Sequence, residues 1–275
     1  MRKNRIIALL ALAAATMASV GCSKDDNTTT SGGQAEGNRL VKIVYQTHKI
    51  EELNGQVVLD TTYWEEDETT EFIWNNGRLD GWKRNGRETS ITYNDLGKPA
   101  RVISGNVEYR YTYNEEGSLV HHQQFEYGEL YREYTITCDD DGNITEYTPY
   151  NSNGESHYRV TFEWANGNMV KIQTVRSDGQ ITTHTCEYDD KQNPYLGFPK
   201  LLELNIWAWT RNNVIKDLEE LEEDVHSYTY QGDITLTKTY QTSVGYESGP
   251  EGTRESWGYN TEYYEYSDGT GHIDR

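Results

Sequence analysis

One group of side chains that could bind a metal is the run Asp139-Asp140-Asp141-Gly142-Asn143. Carboxylate and amide oxygens around a glycine are typical of a calcium loop of the EF-hand type. Such a loop would also need an acidic residue at position 137 and a glutamate at 148, where the chain has Thr137 and Thr148. The run therefore predicts a hairpin turn and no metal site.

Histidine is the next residue type that could bind a metal. His121 and His122 are adjacent, so on a strand their side chains point to opposite faces and cannot share an ion. His157 and His184 could meet them across strands, but scattered, solvated histidines are the simpler interpretation. We expect no metal and no cofactor.

Cys138 and Cys186 raise the question of a disulfide. In a meander of antiparallel strands they would lie about four strands, or roughly 19 Å, apart, whereas a disulfide needs Cα atoms within about 7 Å. We expect two buried free thiols. A disulfide would require the sheet to curl strongly or to close into a barrel.

Catalytic motifs are missing from the sequence. It contains no nucleophile elbow, phosphate-binding loop, dinucleotide-binding glycine pattern or zinc-protease helix. A carboxylate pair for glycoside hydrolysis remains an alternative, but with 45 acidic residues some pair always falls at a suitable distance. We therefore predict a protein that is not an enzyme, with a glycoside hydrolase as the less favoured alternative.

Aromatic residues are the remaining candidates for ligand contact, with 22 Tyr and 7 Trp against 4 Phe. Matching positions of successive repeats hold Trp74, Tyr93, Tyr113, Trp164 and Tyr188. Aromatic rings in register could stack sugars, but packing within the sheet is the favoured interpretation for these five. The better candidates for contact with a ligand are Trp82, Trp257, Tyr263, Tyr264 and Tyr266.

A repeat positions all of these residues. The first glycine of each unit recurs at 77, 97, 117, 142 and 167, and a second follows at 86, 105, 128, 154 and 179. Between them run alternating β-formers such as YTYNEEGSLVHHQQFEYG (111–128), which predict two strands and two glycine-containing turns in each unit. We therefore expect an all-β fold: an antiparallel meander of repeated hairpins, forming an open, curved, largely single-layer sheet.

The stretch from 188 to 216 breaks this rhythm. Leu201, Leu204, Trp207 and Ala208 follow Pro199 at helical spacing, and a second stripe runs from Val214 to Val225. These stripes predict one or two short helices within 199–224 that cover one face of the sheet. The second stripe could instead be a strand from Asn213 that leads into an acidic loop.

The hairpins from Leu40 to Tyr195, and again at 227–240, resemble the YD repeats of Rhs-type proteins. They resemble more closely a family of Bacteroidota lipoproteins of unknown function, to which the stretch 188–216 is also similar. The resemblance implies a surface lipoprotein with no assigned activity.

The N-terminus indicates export. Residues 1–21 combine a basic start with an apolar run too short to span a bilayer, and they lead to Cys22 in a sequence that resembles the lipobox of bacterial lipoproteins. This implies acylation of Cys22 and anchoring by its acyl chains. Ser23, Lys24, Asp25 and Asp26 resemble the export tag of Bacteroidota surface lipoproteins. Residues 22–38 would form the lipidated cysteine and a flexible tether, and 39–275 a single β-repeat domain.

The negative net charge of the chain limits the partners that it can bind. The precursor carries −20, and loss of the three cationic residues in 1–21 leaves the mature chain near −23, which disfavours binding to nucleic acid or to an anionic lipid surface. We expect a lipid-anchored protein of the outer membrane, facing the cell exterior, that acts as a non-catalytic binding module for a glycan or a protein. The alternative is a structural or assembly subunit of an outer-membrane complex.

Overall fold

The structure is a computed structural model that describes residues 38–65, 68–201, 206–219, 222–242, 245–250 and 252–272. The predicted signal peptide, the predicted lipidation site Cys22, the predicted export tag and residues 27–37 of the predicted tether lie outside the described residues. The described strands are β1 (Leu40–Leu53), β2 (Gln56–Trp64), β3 (Thr70–Asn75), β4 (Arg78–Arg84), β5 (Arg87–Tyr93), β6 (Pro99–Ser104), β7 (Val107–Tyr113), β8 (Leu119–Glu126), β9 (Glu129–Cys138), β10 (Ile144–Asn151), β11 (Tyr158–Ala165), β12 (Asn168–Arg176), β13 (Ile181–Gln192), β14 (Asn212–Glu219), β15 (Glu222–Gln231), β16 (Ile234–Gln241), β17 (Gly245–Gly249) and β18 (Gly252–Tyr266).

Sixteen of the described strands form a closed antiparallel barrel. Strands β3 to β16 pair in chain order, β1 pairs with β3, and β16 pairs with β18. The barrel closes because β18 also pairs with β1, from Leu40 opposite Tyr266 to Leu53 opposite Arg254. The predicted open, single-layer sheet is therefore wrong. Closure satisfies the backbone groups that the two terminal strands would otherwise leave unpaired.

Strands β2 and β17 extend the sheet beyond the barrel. The second half of β1, from Gln46 to Leu53, pairs with β2, and the first residues of β18 pair with β17. The order β2–β1–β18–β17 therefore gives a four-stranded extension at the end of the barrel opposite to the point where the chain enters β1.

Strand alternation separates an apolar interior from a polar exterior. In β11, Val160, Phe162 and Trp164 contribute to the core, while the alternate residues Arg159 and Glu163 are exposed. The outward positions include Glu71, Glu88, Arg101, Glu108, Arg110, Glu133, Glu146, Arg159, Glu163, Lys171, Glu187 and Lys216. Several of them form ion pairs across strands, as Glu163 does with Lys171 at 2.7 Å. These outward rows of the wall are therefore rich in charged side chains.

The predicted hairpin repeat is confirmed. All ten repeat glycines have positive φ, from 59° at Gly105 to 89° at Gly179, a backbone conformation that other residues adopt only at a cost. Their turns connect consecutive antiparallel strands. Asp139 accepts hydrogen bonds from the backbone N–H groups of Asp141 and Asn143 at 3.1 and 2.8 Å, so the acidic run forms a hairpin turn.

The matched aromatic residues connect neighbouring repeats, which confirms the packing interpretation. Trp74 Nε1 donates to the carbonyl of Leu40 at 2.9 Å, and Trp164 Nε1 donates to that of Ile144 at 2.8 Å. The hydroxyls of Tyr93 and Tyr188 donate in the same way to Leu79 and Met169. A register shift precedes each of these four residues. Because side chains alternate along a strand, each ring lies on the inner face, where its polar atom reaches a carbonyl on a neighbouring strand.

The loop between β13 and β14 folds into the barrel as a plug, which we define as residues 193–201 and 206–211. Phe198 is buried against Phe72, Trp74 and Tyr195, with ring centroids 5.0, 5.1 and 5.4 Å away. Leu201, Ala208 and Trp209 are also buried. The backbone N–H of Asn193 donates to the carbonyl of Arg211 at 3.0 Å, which closes the neck of the plug.

The predicted helices in 199–224 are also wrong. The described part of this range contains one short 3₁₀ turn, Ile206–Trp209, followed by β14 and the start of β15. The alternative of a strand from Asn213 is closer to the structure. The helical spacing of the apolar residues gave a wrong prediction here. A loop that is buried on several sides inside a barrel also has apolar residues every three or four positions, without forming a helix. Within the described residues, no helix is long and apolar enough to cross a membrane.

Candidate functional site

A cavity of about 280 Å³ lies in the barrel lumen between the plug and the strands on either side of the β1–β18 seam. The plug supplies its floor through Asn193, Pro194, Tyr195, Trp207 and Ala208. The wall comes from β1, β3, β4, β14, β15, β16 and β18. Because a barrel of sixteen strands is wider than its own side chains can fill, a partial plug leaves space of this kind.

Two rows of paired residues build the wall. Tyr228 lies opposite Lys238, Lys238 opposite Glu262, and Glu262 opposite Tyr45. In the next row, Tyr264 lies opposite Ile43, Ile43 opposite Thr70, and Thr70 opposite Arg84. All of these side chains line the cavity. Arg84 marks its opening, since 52% of its side chain is exposed.

Tyrosines give the cavity a surface that is apolar yet able to form hydrogen bonds. Burial raises the pKa of Tyr45 to about 12, and the nearby charge of Glu262 adds to the effect. Burial, followed by the same carboxylate, also raises the pKa of Tyr228, Tyr240 and Tyr264. Their phenols therefore stay neutral, and a neutral phenol can both donate and accept a hydrogen bond. Tyr264 already donates to Glu262 Oε2 at 2.7 Å.

The cavity contains three charged side chains. Lys238 lies 5.2 Å from the Tyr240 ring and Arg84 5.7 Å from the Tyr45 ring. Arg84 also pairs with Glu68 at 3.7 Å, where both side chains are about half exposed. Among the described lining residues, Glu262 is the only carboxylate. The cavity therefore does not supply the two carboxyl groups that glycoside hydrolysis ordinarily uses.

The structure separates the five predicted contact residues. Trp82 and Tyr264 line the cavity. Tyr266 is buried and donates to the Thr235 carbonyl at 2.8 Å. Tyr263 faces outward, where it packs against Trp64 with ring centroids 5.1 Å apart. Trp257 lies on the extension, opposite Ile50.

The sequence analysis missed Tyr45, Arg84, Lys238 and Glu262. The alternation of side chains could have linked Arg84 to Trp82, because residues two apart on a strand share a face. Glu262 could have been linked to Tyr264 in the same way. Lys238 carries no such local signal, since its place beside Glu262 depends on the pairing of β16 with β18.

The other chemically interesting residues do not converge. Cys138 and Cys186 are free thiols although the barrel is closed; Cys186 is buried, as predicted, whereas Cys138 is only partly buried. His121 faces Glu133 at 3.4 Å on the outer wall, whereas His122 is buried among tyrosine rings. No group of three or more His, Cys, Asp or Glu within the described ranges could hold a metal ion.

Comparison with known proteins identifies the fold. No protein-family model and no curated protein matches the sequence. A porin-like protein from Bacteroides uniformis matches with a TM-score of 0.53 and 13% identity, over 83% of this chain and 98% of that one. A porin-like protein from Bacteroides vulgatus matches with a TM-score of 0.46 and 8% identity, over 84% and 99%. This chain therefore shares its barrel fold with the first of these proteins.

Proposed function

We propose that this chain is a non-catalytic binding protein of the cell surface that holds a saccharide in its lumenal cavity. The observation that carries the proposal is the cavity itself, which opens at Arg84 and is lined by aromatic rings and a few polar groups. Its volume lies near the lower end of small-molecule sites, which are typically about 300–1,000 Å³. A single sugar ring or the end of a glycan chain suits this size.

The chemistry of the wall supports a saccharide over a purely apolar ligand. Sugar rings have apolar faces that stack on aromatic side chains, and Trp82 and Tyr240 offer such surfaces. The hydroxyls of a sugar need hydrogen-bond donors and acceptors, and Glu262, Asn213 and the neutral tyrosines carry such groups. The presence of one carboxylate in the lining favours binding without hydrolysis.

We also propose that the barrel is held beside the outer membrane by acyl chains on Cys22 and does not span the bilayer. Spanning barrels carry an apolar band on the outside, and here the outward rows carry Glu, Lys and Arg. The porin-like description of the Bacteroides uniformis protein is consistent with an outer-membrane setting. The likeness of residues 23–26 to an export tag favours the outer face.

The cavity opening lies away from the start of β1. The described chain enters β1 at Leu40, and β4 runs from the turn at 76–77 toward Arg84 at the opposite end.

Titration of the purified full chain with a panel of monosaccharides and short glycans tests the binding proposal. We expect a saturable change in tryptophan fluorescence, because Trp82 and Trp207 line the cavity. Trp82→Leu should weaken binding, whereas the matched variant Trp257→Leu on the extension should leave it unchanged. If no saccharide binds, or if both variants bind like the parent chain, the cavity is not the site.

The location needs a separate test. We expect labelled fatty acid to be incorporated into the parent chain and not into Cys22→Ser. Protease added to intact cells should digest the anchored protein. Resistance to protease on intact cells, with digestion after lysis, would place the barrel on the periplasmic side.

An assembly role is the second candidate, and the extension favours it. Strands β2 and β17 each pair with one described neighbour, and Val57, Val58 and Tyr246 are 58%, 51% and 68% exposed. Such edges can pair with a strand of another protein. A proline at Val58 should abolish recovery of a cross-linked partner from intact cells without affecting saccharide binding.

A further inference from the structure

We infer that the saccharide is acidic and that Arg84 binds its carboxylate. The inference rests on the proposed function and specifies its ligand class. Arg84 lies at the opening of the cavity in a chain whose formal net charge is −20. A cation placed at the opening of a site in such a chain locally reverses the repulsion that an anionic ligand would meet.

The pairing of the charged groups identifies Arg84 as the residue that discriminates. Lys238 and Glu262 are direct cross-strand neighbours on the inner wall, so a ligand carboxylate beside Lys238 would also lie close to the negative charge of Glu262. Arg84 pairs instead with Glu68 at 3.7 Å, and about half of each side chain is exposed. Exposed pairs of this kind contribute little, about 0–1 kcal/mol, so a ligand carboxylate can replace Glu68.

The geometry of the guanidinium group suits that exchange. Its planar N–H groups match both oxygens of a carboxylate, which a neutral hydroxymethyl group cannot reproduce. Deeper in the cavity, Tyr264 and Tyr228 donate to Glu262 and to the Val214 carbonyl. The second carboxylate oxygen of Glu262 and the lone pairs of the tyrosine hydroxyls can accept hydrogen bonds from the ring hydroxyls. A uronic acid satisfies both regions at once, with its carboxylate at the opening and its hydroxyls on the inner wall.

Paired titrations test the inference: galacturonic acid against galactose, and glucuronic acid against glucose, on the full chain. We expect the acid of each pair to bind about 10-fold more tightly than the neutral sugar, the discrimination expected from a charge-assisted hydrogen bond. Added salt should weaken binding of the acid and leave the neutral sugar unaffected.

Three variants assign the effect to Arg84. Arg84→Gln should remove the preference for the acid, while Glu68→Gln should increase affinity for the acid about two- to five-fold because it removes the competing carboxylate. Lys83→Gln is the matched control, since Lys83 is adjacent in β4 but faces outward. A general structural defect would not move the Arg84 and Glu68 variants in opposite directions.

The outcomes are distinguishable. Equal affinity for acidic and neutral sugars overturns the inference and leaves the lumenal saccharide site in place. A preference for the acid that survives Arg84→Gln assigns the carboxylate elsewhere and also overturns it. Failure of both sugar classes to bind refutes the proposed function, and the inference falls with it.

Discussion

Replacing Phe198 with alanine should strongly destabilise the barrel, because this side chain anchors the plug. Phe198 is 7% exposed and packs edge-on against Phe72, Trp74 and Tyr195. Truncation of a buried phenylalanine to alanine typically costs about 3–5 kcal/mol. Loss of three edge-to-face contacts places Phe198 in the upper part of that range. We therefore expect the free energy of unfolding to fall by about 4 kcal/mol.

Urea denaturation of the full chain, followed by tryptophan fluorescence, measures this loss. Two variants calibrate it. Phe198→Leu keeps most of the volume and should cost less than half as much, about 1.5 kcal/mol. Leu96→Ala removes a side chain that is 65% exposed in a turn and should change stability by no more than about 0.5 kcal/mol.

The result bears directly on the site, because the plug is the floor of the cavity. A loss of less than about 1 kcal/mol for Phe198→Ala would be incompatible with a close-packed side chain. Residues 193–201 would then not fill the lumen, and the cavity would lose the part of its floor that Tyr195 supplies. Such a result would refute both the packing argument and the location of the binding site.

Three further predictions concern protonation, thiols and closure. Burial, followed by the nearby charge of Lys238, lowers the pKa of His226 from 6.5 to about 4. As the pH falls from 6.5 to 4, the unfolded chain therefore binds a proton that the folded chain does not, and the free energy of unfolding measured in urea should decrease. The decrease should be smaller in His226→Gln. Burial raises the pKa of Cys186 to about 12 and that of Cys138 above its usual range. Because the thiolate is the reactive form, a thiol reagent should react slowly with both residues in the native chain and label both in urea without reductant. If neither is labelled in urea, the two cysteines form a disulfide. A methyl group on Gly258 would lie 2.0 Å from a carbonyl oxygen of the paired strand β1, so Gly258→Ala should lower the unfolding midpoint. Gly249→Ala should not, because a methyl group there would meet no atom within 4 Å. Equal midpoints for the two variants would contradict the β1–β18 seam.

The local features of this fold could be predicted from the sequence because short-range geometry determines them. A two-residue turn such as Asn76-Gly77 requires positive φ at both positions, 48° and 80° here, and few residues adopt that conformation readily. Alternation then assigns Trp74 and Trp164 to the inner face. Hairpin, register and packing thus follow from residues that are near one another in the chain.

Closure could not be predicted in the same way. The seam joins residues such as Ile43 and Tyr264, which are distant in sequence, and nothing within either strand distinguishes a barrel partner from an open edge. Lys238 on the inner wall was missed for the same reason, since its place beside Glu262 depends on the pairing of β16 with β18. By contrast, Trp82 was identified as a contact candidate from its residue type, and the structure places it in the cavity lining.

The lumenal cavity arises where the repeat is interrupted. The unit that begins at Cys186 lacks the expected glycine, and in its place the chain leaves β13 at Gln192, enters the lumen and returns at Asn212. The regular hairpins supply a wall whose width is set by the number of strands, while the interruption supplies the floor. The plug and the inward side chains around the seam can therefore change the shape and charge of the cavity without disturbing the turns that hold the barrel together. Within this architecture, substitutions at Arg84 or in the plug should alter ligand choice, whereas substitutions at the repeat glycines should alter stability first.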